Sequence, residues 1–204
     1  MKINIPNQIT LARLVLTIVF FVLLVQYDAR SPAPGLLNAC FVLFVVAALG
    51  DVLDGYLARR QNQVTSLGRV LDPFVDKVMI CGTFVFFASN HFVDAADRNV
   101  SGVEAWMVVL ILGRELLVTG LRGFSEARGE SYAAALSGKL KMFIQSVTVG
   151  AVLVIVANAD TALGSPSMQQ LKTVLIWLTV VVTTISMLQY LIRSKHVLAE
   201  ASRP

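Results

Sequence analysis

Apolar residues gather into six long runs: Leu14–Val25, Leu36–Leu49, Val78–Ala88, Trp106–Leu121, Met142–Ala157 and Val174–Ile192. Each run extends into flanks of mixed character, toward the roughly 20 residues that carry a helix across a hydrocarbon core about 30 Å thick. The last run is rich in β-branched residues and would suit a strand in water. In lipid an isolated strand leaves its backbone unpaired, so a helix is expected there too. The pattern therefore predicts an all-α protein, an integral membrane bundle of six transmembrane helices forming a single domain over residues 1–204. Two readings stay open for Ile3–Arg13. Ile3, Ile5, Ile9 and Leu11 form a short N-terminal interfacial helix, or the segment is an ordinary flanking cap.

Composition agrees with the pattern. The chain of 204 residues is 56% hydrophobic and only 15% charged, with a mean hydropathy of +0.71. A soluble domain carries about 25% charged residues, so a soluble enzyme, a disordered chain and a disulfide-built module are excluded. The net charge of +4 does not point to nucleic acid, because the basic residues sit between apolar runs. The connections Tyr27–Gly35, Asn90–Gly102 and Asn158–Gln170 are turn-rich and alternate with basic ones. Arg30, Arg98 and Lys172 fall on one side, and the other 14 of the 17 Lys and Arg fall on the opposite side. That asymmetry places both termini and the second and fourth connections in the cytoplasm, with a bacterial inner membrane as the setting. Cys40 and Cys81 lie inside apolar runs and read as small buried hydrophobes. Trp106, Trp177 and Tyr190, near helix ends, read as an aromatic belt, and His91 and His196 as solvated or interfacial.

The chemistry lies where lipid is expected. Asp51 and Asp54 are three apart at the end of the second helix, and Asp72 and Asp76 are four apart at the start of the third. Each spacing puts a pair on one helical face. A short turn joins the two helices, so the pairs face each other at one depth. An aspartate at mid-membrane costs about 2.5–3.5 kcal/mol, less near the interface, so four together call for a strong positive partner. Arg59, Arg69 and Lys77 offset part of that charge. Converging carboxylates with no cysteine or histidine nearby are the oxygen ligands of Mg²⁺, Mn²⁺ or Ca²⁺, and two such ions would clamp a displacement at phosphorus. Gly55 and Ala58 share the aspartate face and leave space for a ligand or for helix packing. Arg59 offers a phosphate a two-donor fork, and Gly68 permits close approach or a turn.

Together these residues read D-x2-D-G-x2-A-R-x8-G-x3-D-x3-D, from Asp51 to Asp76. The string resembles, without departure, the signature of the CDP-alcohol phosphatidyltransferase family. The opening Ile5–Arg13, the segment Gly113–Arg122 and Gly138-Lys-Leu-Lys141 are similar to family members that use glycerol 3-phosphate. The resemblance implies a six-helix, usually homodimeric enzyme with a polar cavity open to the cytoplasm. Its donor would be CDP-diacylglycerol, its acceptor an alcohol, and its products a phosphodiester lipid and CMP. By position it implies that Asp51, Asp54, Asp72 and Asp76 bind two divalent cations, Mg²⁺ or Mn²⁺, with Asp76 doubling as general base. Gly55, Ala58, Arg59, Thr65 and Gly68 would lie on the CDP-diacylglycerol side. Such members often carry Thr after the second lysine of Gly-Lys-x-Lys; here Met142 and Phe143 follow, so any hydroxyl role there is lost or moved.

A glycerol 3-phosphate acceptor needs a basic pocket, for which Arg114, Arg122, Lys139 and Lys141 are the candidates. Arg114 leads, because it sits deep in an apolar run beside Glu115, where an orienting charge alone is costly. Direct displacement needs no Ser, His or Cys nucleophile, and none is evident. Two alternatives belong beside this reading: a sibling enzyme (a cardiolipin synthase or a phosphatidylinositol phosphate synthase) and a metal or ion transporter. A transport path would show acids or polar breaks deep in several helices, and the fifth and sixth runs show none.

Overall fold

Pro34 and Pro166 each stand at the first position of a helix, where the missing N–H has no helical partner to lose. Among the described residues they open two of six α-helices: α1 Ile5–Val25, α2 Pro34–Arg60, α3 Ser66–Phe87, α4 Ala105–Ala127, α5 Leu136–Ala157 and α6 Pro166–Arg193. The structure is a computed structural model. It describes the backbone of residues 5–60, 66–127 and 136–193 and the side chains of residues 8–51, 71–125 and 138–192. Two short 3₁₀ turns, Asn90–Phe92 and Ala162–Gly164, interrupt the connections.

Four helices, α1, α2, α5 and α6, are long and apolar enough to cross a membrane, and the protein is a multi-pass membrane protein. The remaining two, α3 and α4, span 22 and 23 residues but carry the charged positions singled out above. The helices close a ring in the order α1, α2, α5, α6, α4, α3 and back to α1, with α3 also touching α5. Aliphatic residues such as Val15, Val42, Leu49, Val109 and Ile192 face outward, as lipid-facing positions do.

Three expectations change. Helix α1 runs unbroken from Ile5, so the described part of the Ile3–Arg13 segment is the start of α1 rather than a separate interfacial helix. Its inward face carries the buried Thr10, Arg13 and Thr17, which ties it to the bundle. The connection expected to reach Gln170 ends at Pro166, because that proline starts a helix there. Lys172, counted with Arg30 and Arg98 as a flanking charge on one side, lies buried in α6, with Nζ donating to the Val100 carbonyl at 2.5 Å.

The end of the bundle away from the aspartates is plugged. Phe87 meets Phe92 edge-on at 5.1 Å, and Tyr27 lies 4.9 Å from Phe92. The α3–α4 connection folds back through a Val93–Asn99 bridge. Asn99 Nδ2 donates to the carbonyls of Phe87 and Val103, and Ser101 Oγ donates to that of Phe87. His91, expected to be solvated or interfacial, is half-buried and places Nδ1 3.0 Å from the Tyr27 carbonyl. Cys40 and Cys81 are buried, as expected.

Helices α5 and α6 meet along a polar seam, which the sequence pattern did not suggest. Lys172, Ile176, Thr179, Thr183, Ser186 and Tyr190 recur at helical spacing on one buried face of α6. Thr148 Oγ1 and Thr179 Oγ1 pair across the seam at 2.8 Å. A hydroxyl pair of this kind is helix–helix glue worth roughly 0.6 kcal/mol per bond in a bilayer, while Thr183 Oγ1 on the same face is buried without a hydrogen-bond partner.

Helices α1 and α3 approach closely at Gly82, where an added Cβ would lie 2.5 Å from the Phe21 ring. Gly82→Ala is expected to destabilise the protein by about 1–3 kcal/mol, measured by thermal unfolding in detergent. Phe21→Leu in the same chain should return most of the loss; an unchanged midpoint for Gly82→Ala would show that the ring yields freely.

Candidate active site

The site begins with an arginine on α1. Arg13 is only 3% exposed, and its stem crosses α2 at Gly50, where a Cβ would stand 3.1 Å from Arg13 Cγ and Cδ. The guanidinium then spreads its donors over two helices. Nε donates to the Ala47 carbonyl at 3.0 Å and Nη1 to Asp51 Oδ1 at 2.8 Å. Nη2 donates to Asp76 Oδ1. One turn before Arg13, Thr10 Oγ1 donates to Asp72 Oδ1 at 2.7 Å. Asp51 on α2 and Asp76 on α3 therefore share one cation, and Asp72 is oriented from the same face of α1. The helical spacing that put Asp72 and Asp76 on one face is realised in α3.

Among the described residues, no three His, Cys, Asp or Glu side chains form a ready metal cage. Asp54, Gly55, Ala58, Arg59 and Gly68 lie in helical backbone whose side chains are outside the described set, and Thr65 lies outside the described residues. Lys77, expected to offset the aspartates, donates instead to Thr119 Oγ1 on α4 at 2.5 Å.

Asp72 and Asp76 open onto a cavity of about 870 Å³ walled by α3, α4 and α5. All four basic candidates, Arg114, Arg122, Lys139 and Lys141, line that same cavity. Arg114 and Lys141 are buried and share one anchor. Arg114 Nη1 donates to Glu115 Oε1 at 3.0 Å, and Lys141 Nζ donates to the same oxygen. A lone carboxylate between two cations leaves positive charge in surplus, and it fixes where both side chains point. Arg114 Nη2 also reaches Ser186 Oγ at 2.8 Å.

Tyr190 is not part of an aromatic belt. It is buried between two arginines, with Arg114 and Arg122 over its ring at 5.5 and 5.4 Å. Its hydroxyl accepts from Arg122 Nη2 at 2.5 Å. The ring faces inward because position 190 falls in register with Ser186 and Thr183 on the seam of α6. Proximity to a helix end, taken without that register, led to the wrong side. Trp106 and Trp177 do pair near the plugged end, 5.9 Å apart. Met142, the departure from the family pattern, lines the cavity as an apolar wall.

Arg13, Thr10, Tyr190 and Gln145 were absent from the sequence-derived site. The available signal was an arginine one turn after a threonine in an otherwise apolar α1, and a heptad-like polar series in α6. Unanswered donors remain in the cavity wall: the Nε atoms of Arg114 and Arg122, and Nε2 of Gln145, are buried without hydrogen-bond partners. A chamber joining carboxylates to a cationic wall with open donors offers an anion several donors and a proton an acceptor beside them.

The chain belongs to the CDP-alcohol phosphatidyltransferase family, whose pattern matches residues 3–185. Its relatives include proteins named CDP-diacylglycerol–glycerol-3-phosphate 3-phosphatidyltransferase. That of Bacillus subtilis is 35% identical, over 74% of this chain and 76% of its own length. That of Sodalis glossinidius is 32% identical over 98% and 100%, and that of Yersinia pestis is 33% identical over 94% of each.

Arg13→Met removes the guanidinium that Asp51 and Asp76 share. It is expected to cost about 3 kcal/mol, the low end for a broken buried pair because both acids are partly exposed. Unfolding of Arg13→Met, Asp76→Asn and the double variant should show the double losing less than the sum of the singles. Strict additivity would mean that the two side chains do not act on each other.

Proposed function

We infer that this protein transfers the phosphatidyl group of CDP-diacylglycerol to glycerol 3-phosphate, releasing CMP and phosphatidylglycerol phosphate. The observation that carries the reading is the joining of Asp72 and Asp76 to four basic side chains in one cavity. The relatives of this name, aligned over nearly the whole chain, support it. A transporter does not fit the family.

Direct displacement is the chemistry we propose. The terminal hydroxyl oxygen of the acceptor bonds to the phosphatidyl phosphorus, the bond from that phosphorus to the CMP oxygen breaks, and CMP leaves with the electron pair. Asp76 takes the hydroxyl proton, oriented for this by Arg13 on its other side. Arg114, Arg122, Lys139 and Lys141 hold the acceptor's phosphate, with Glu115 and Tyr190 fixing the two arginines and Lys141. Gly55, Ala58, Arg59, Thr65 and Gly68 flank the CDP-diacylglycerol side.

Asp51, Asp54, Asp72 and Asp76 would hold two divalent cations, Mg²⁺ or Mn²⁺. The donors are all carboxylate oxygens, as hard cations prefer. The positive charge that Asp51 and Asp76 already share through Arg13 marks the spot as one that demands a cation. When bound, such ions neutralise pyrophosphate charge and stabilise the departing CMP.

In this reading residues 1–204 form one membrane domain in which all six helices cross, and the protein works as a homodimer. The aspartate end and both termini face the cytoplasm of a bacterial inner membrane. The skewed distribution of Lys and Arg and the bacterial relatives support that placement.

Purified protein in detergent with Mg²⁺ or Mn²⁺ and CDP-diacylglycerol is expected to release CMP when glycerol 3-phosphate is added. Release only with inositol phosphate or phosphatidylglycerol would move the chain to a sibling activity. Asp76→Asn should lower turnover by about 10³-fold while CDP-diacylglycerol still binds; unchanged turnover removes it as the base. Arg114→Ala should raise KM for glycerol 3-phosphate about ten- to a hundredfold, as loss of a charged hydrogen bond does, and an unchanged KM takes it out of the pocket.

A further inference from the structure

Gln145 is the one uncharged member of the set of open donors in the cavity wall. Its side chain is only 2% exposed, it lines the chamber, and its Nε2 has no hydrogen-bond partner. It stands one helical turn beyond Lys141 on the same face of α5. From α3 the same chamber is lined by Asp72, Pro73, Asp76, Lys77, Ile80 and Cys81, and none of them accepts from that amide. An amide buried there unanswered is destabilising, and a side chain of similar volume without polar atoms would avoid the penalty. The open donor therefore points to a ligand.

The chemistry of the neighbours says which part of the ligand. Phosphate oxygens are best answered by Arg114 and Lys141, which carry charge and only donate. A hydroxyl both donates and accepts, and a carboxamide is the side chain that can match it in both directions. A three-carbon acceptor with its reacting hydroxyl at Asp76 and its phosphate on the basic wall leaves one polar group over, the hydroxyl on its middle carbon. We propose that Gln145 recognises that central hydroxyl and so sets the specificity of the site for a polyol phosphate. The inference rests on the acceptor assigned above and deepens it.

The test compares glycerol 3-phosphate with 3-hydroxypropyl phosphate, which keeps the phosphate and the terminal hydroxyl but lacks the central one. kcat/KM is measured for both by CMP release in the wild type, Gln145→Leu and Gln145→Met. The wild type is expected to prefer glycerol 3-phosphate by about ten- to a hundredfold. In the variants the preference should shrink to roughly threefold or less, through loss with glycerol 3-phosphate alone and with KM for CDP-diacylglycerol unchanged. Should Leu disturb folding, Met, close to glutamine in length and shape, carries the comparison. A preference that persists undiminished in the variants overturns the assignment, because an amide serving the phosphate or mere packing would penalise both acceptors alike. A wild type inactive with both acceptors overturns the underlying function as well, and the wild-type rates tell that case from failure of Gln145 alone.

Discussion

Carboxylates inside a membrane bundle must be met by positive charge, and the site is organised around that demand. The desolvation cost of Asp51 and Asp76 is offset first by Arg13, whose guanidinium links α1 to α2 and α3 at once. Such a three-helix clasp needs a gap in α2 for the arginine stem, and Gly50 provides it. The same logic with signs reversed recurs across the cavity, where Glu115 holds Arg114 and Lys141. Each wall is thus fixed by a minority charge of the opposite sign. A fixed wall is what a charge-stabilising site requires, since polar groups that need not reorganise act most strongly on developing charge.

The two ends of the bundle divide the labour. Aromatic rings and the folded-back α3–α4 connection close one end with side-chain-capped backbone. The other end keeps an open chamber between α5 and the two helices, α3 and α4, that lack a fully apolar span. Those helices turn their charged positions to the cavity and keep apolar residues such as Val85, Val109 and Leu116 facing outward. The polar seam of α6 extends this economy of placement. The face that glues α6 to α5 ends at Tyr190, which becomes the platform beneath two cavity arginines.

Much of this was legible from residue order. Six apolar runs became six helices, and the charged candidates on α4 and α5 converge on the chamber that Asp72 and Asp76 open onto. Charge at depth is a strong signal because its cost is high. What stayed hidden depended on rotation about a helix axis and on contacts between distant segments. Arg13 looked like one of many basic flanks, since nothing local shows that its stem passes over a glycine 37 positions later. Tyr190 and Lys172 looked like interfacial residues because distance from a helix end is readable and inward facing is not. Gln145 sat unremarked in an apolar run, and only the cavity shows that its amide has nothing to bond to.

The central claim is that aspartate-held cations and the acceptor's phosphate occupy one chamber. Phosphorus NMR of glycerol 3-phosphate bound to the protein, titrated with Mn²⁺, tests that directly. The account predicts strong paramagnetic broadening of the bound phosphate signal that disappears in Asp72→Asn although the phosphate still binds. A signal left sharp while Mn²⁺ and glycerol 3-phosphate are both bound would contradict it.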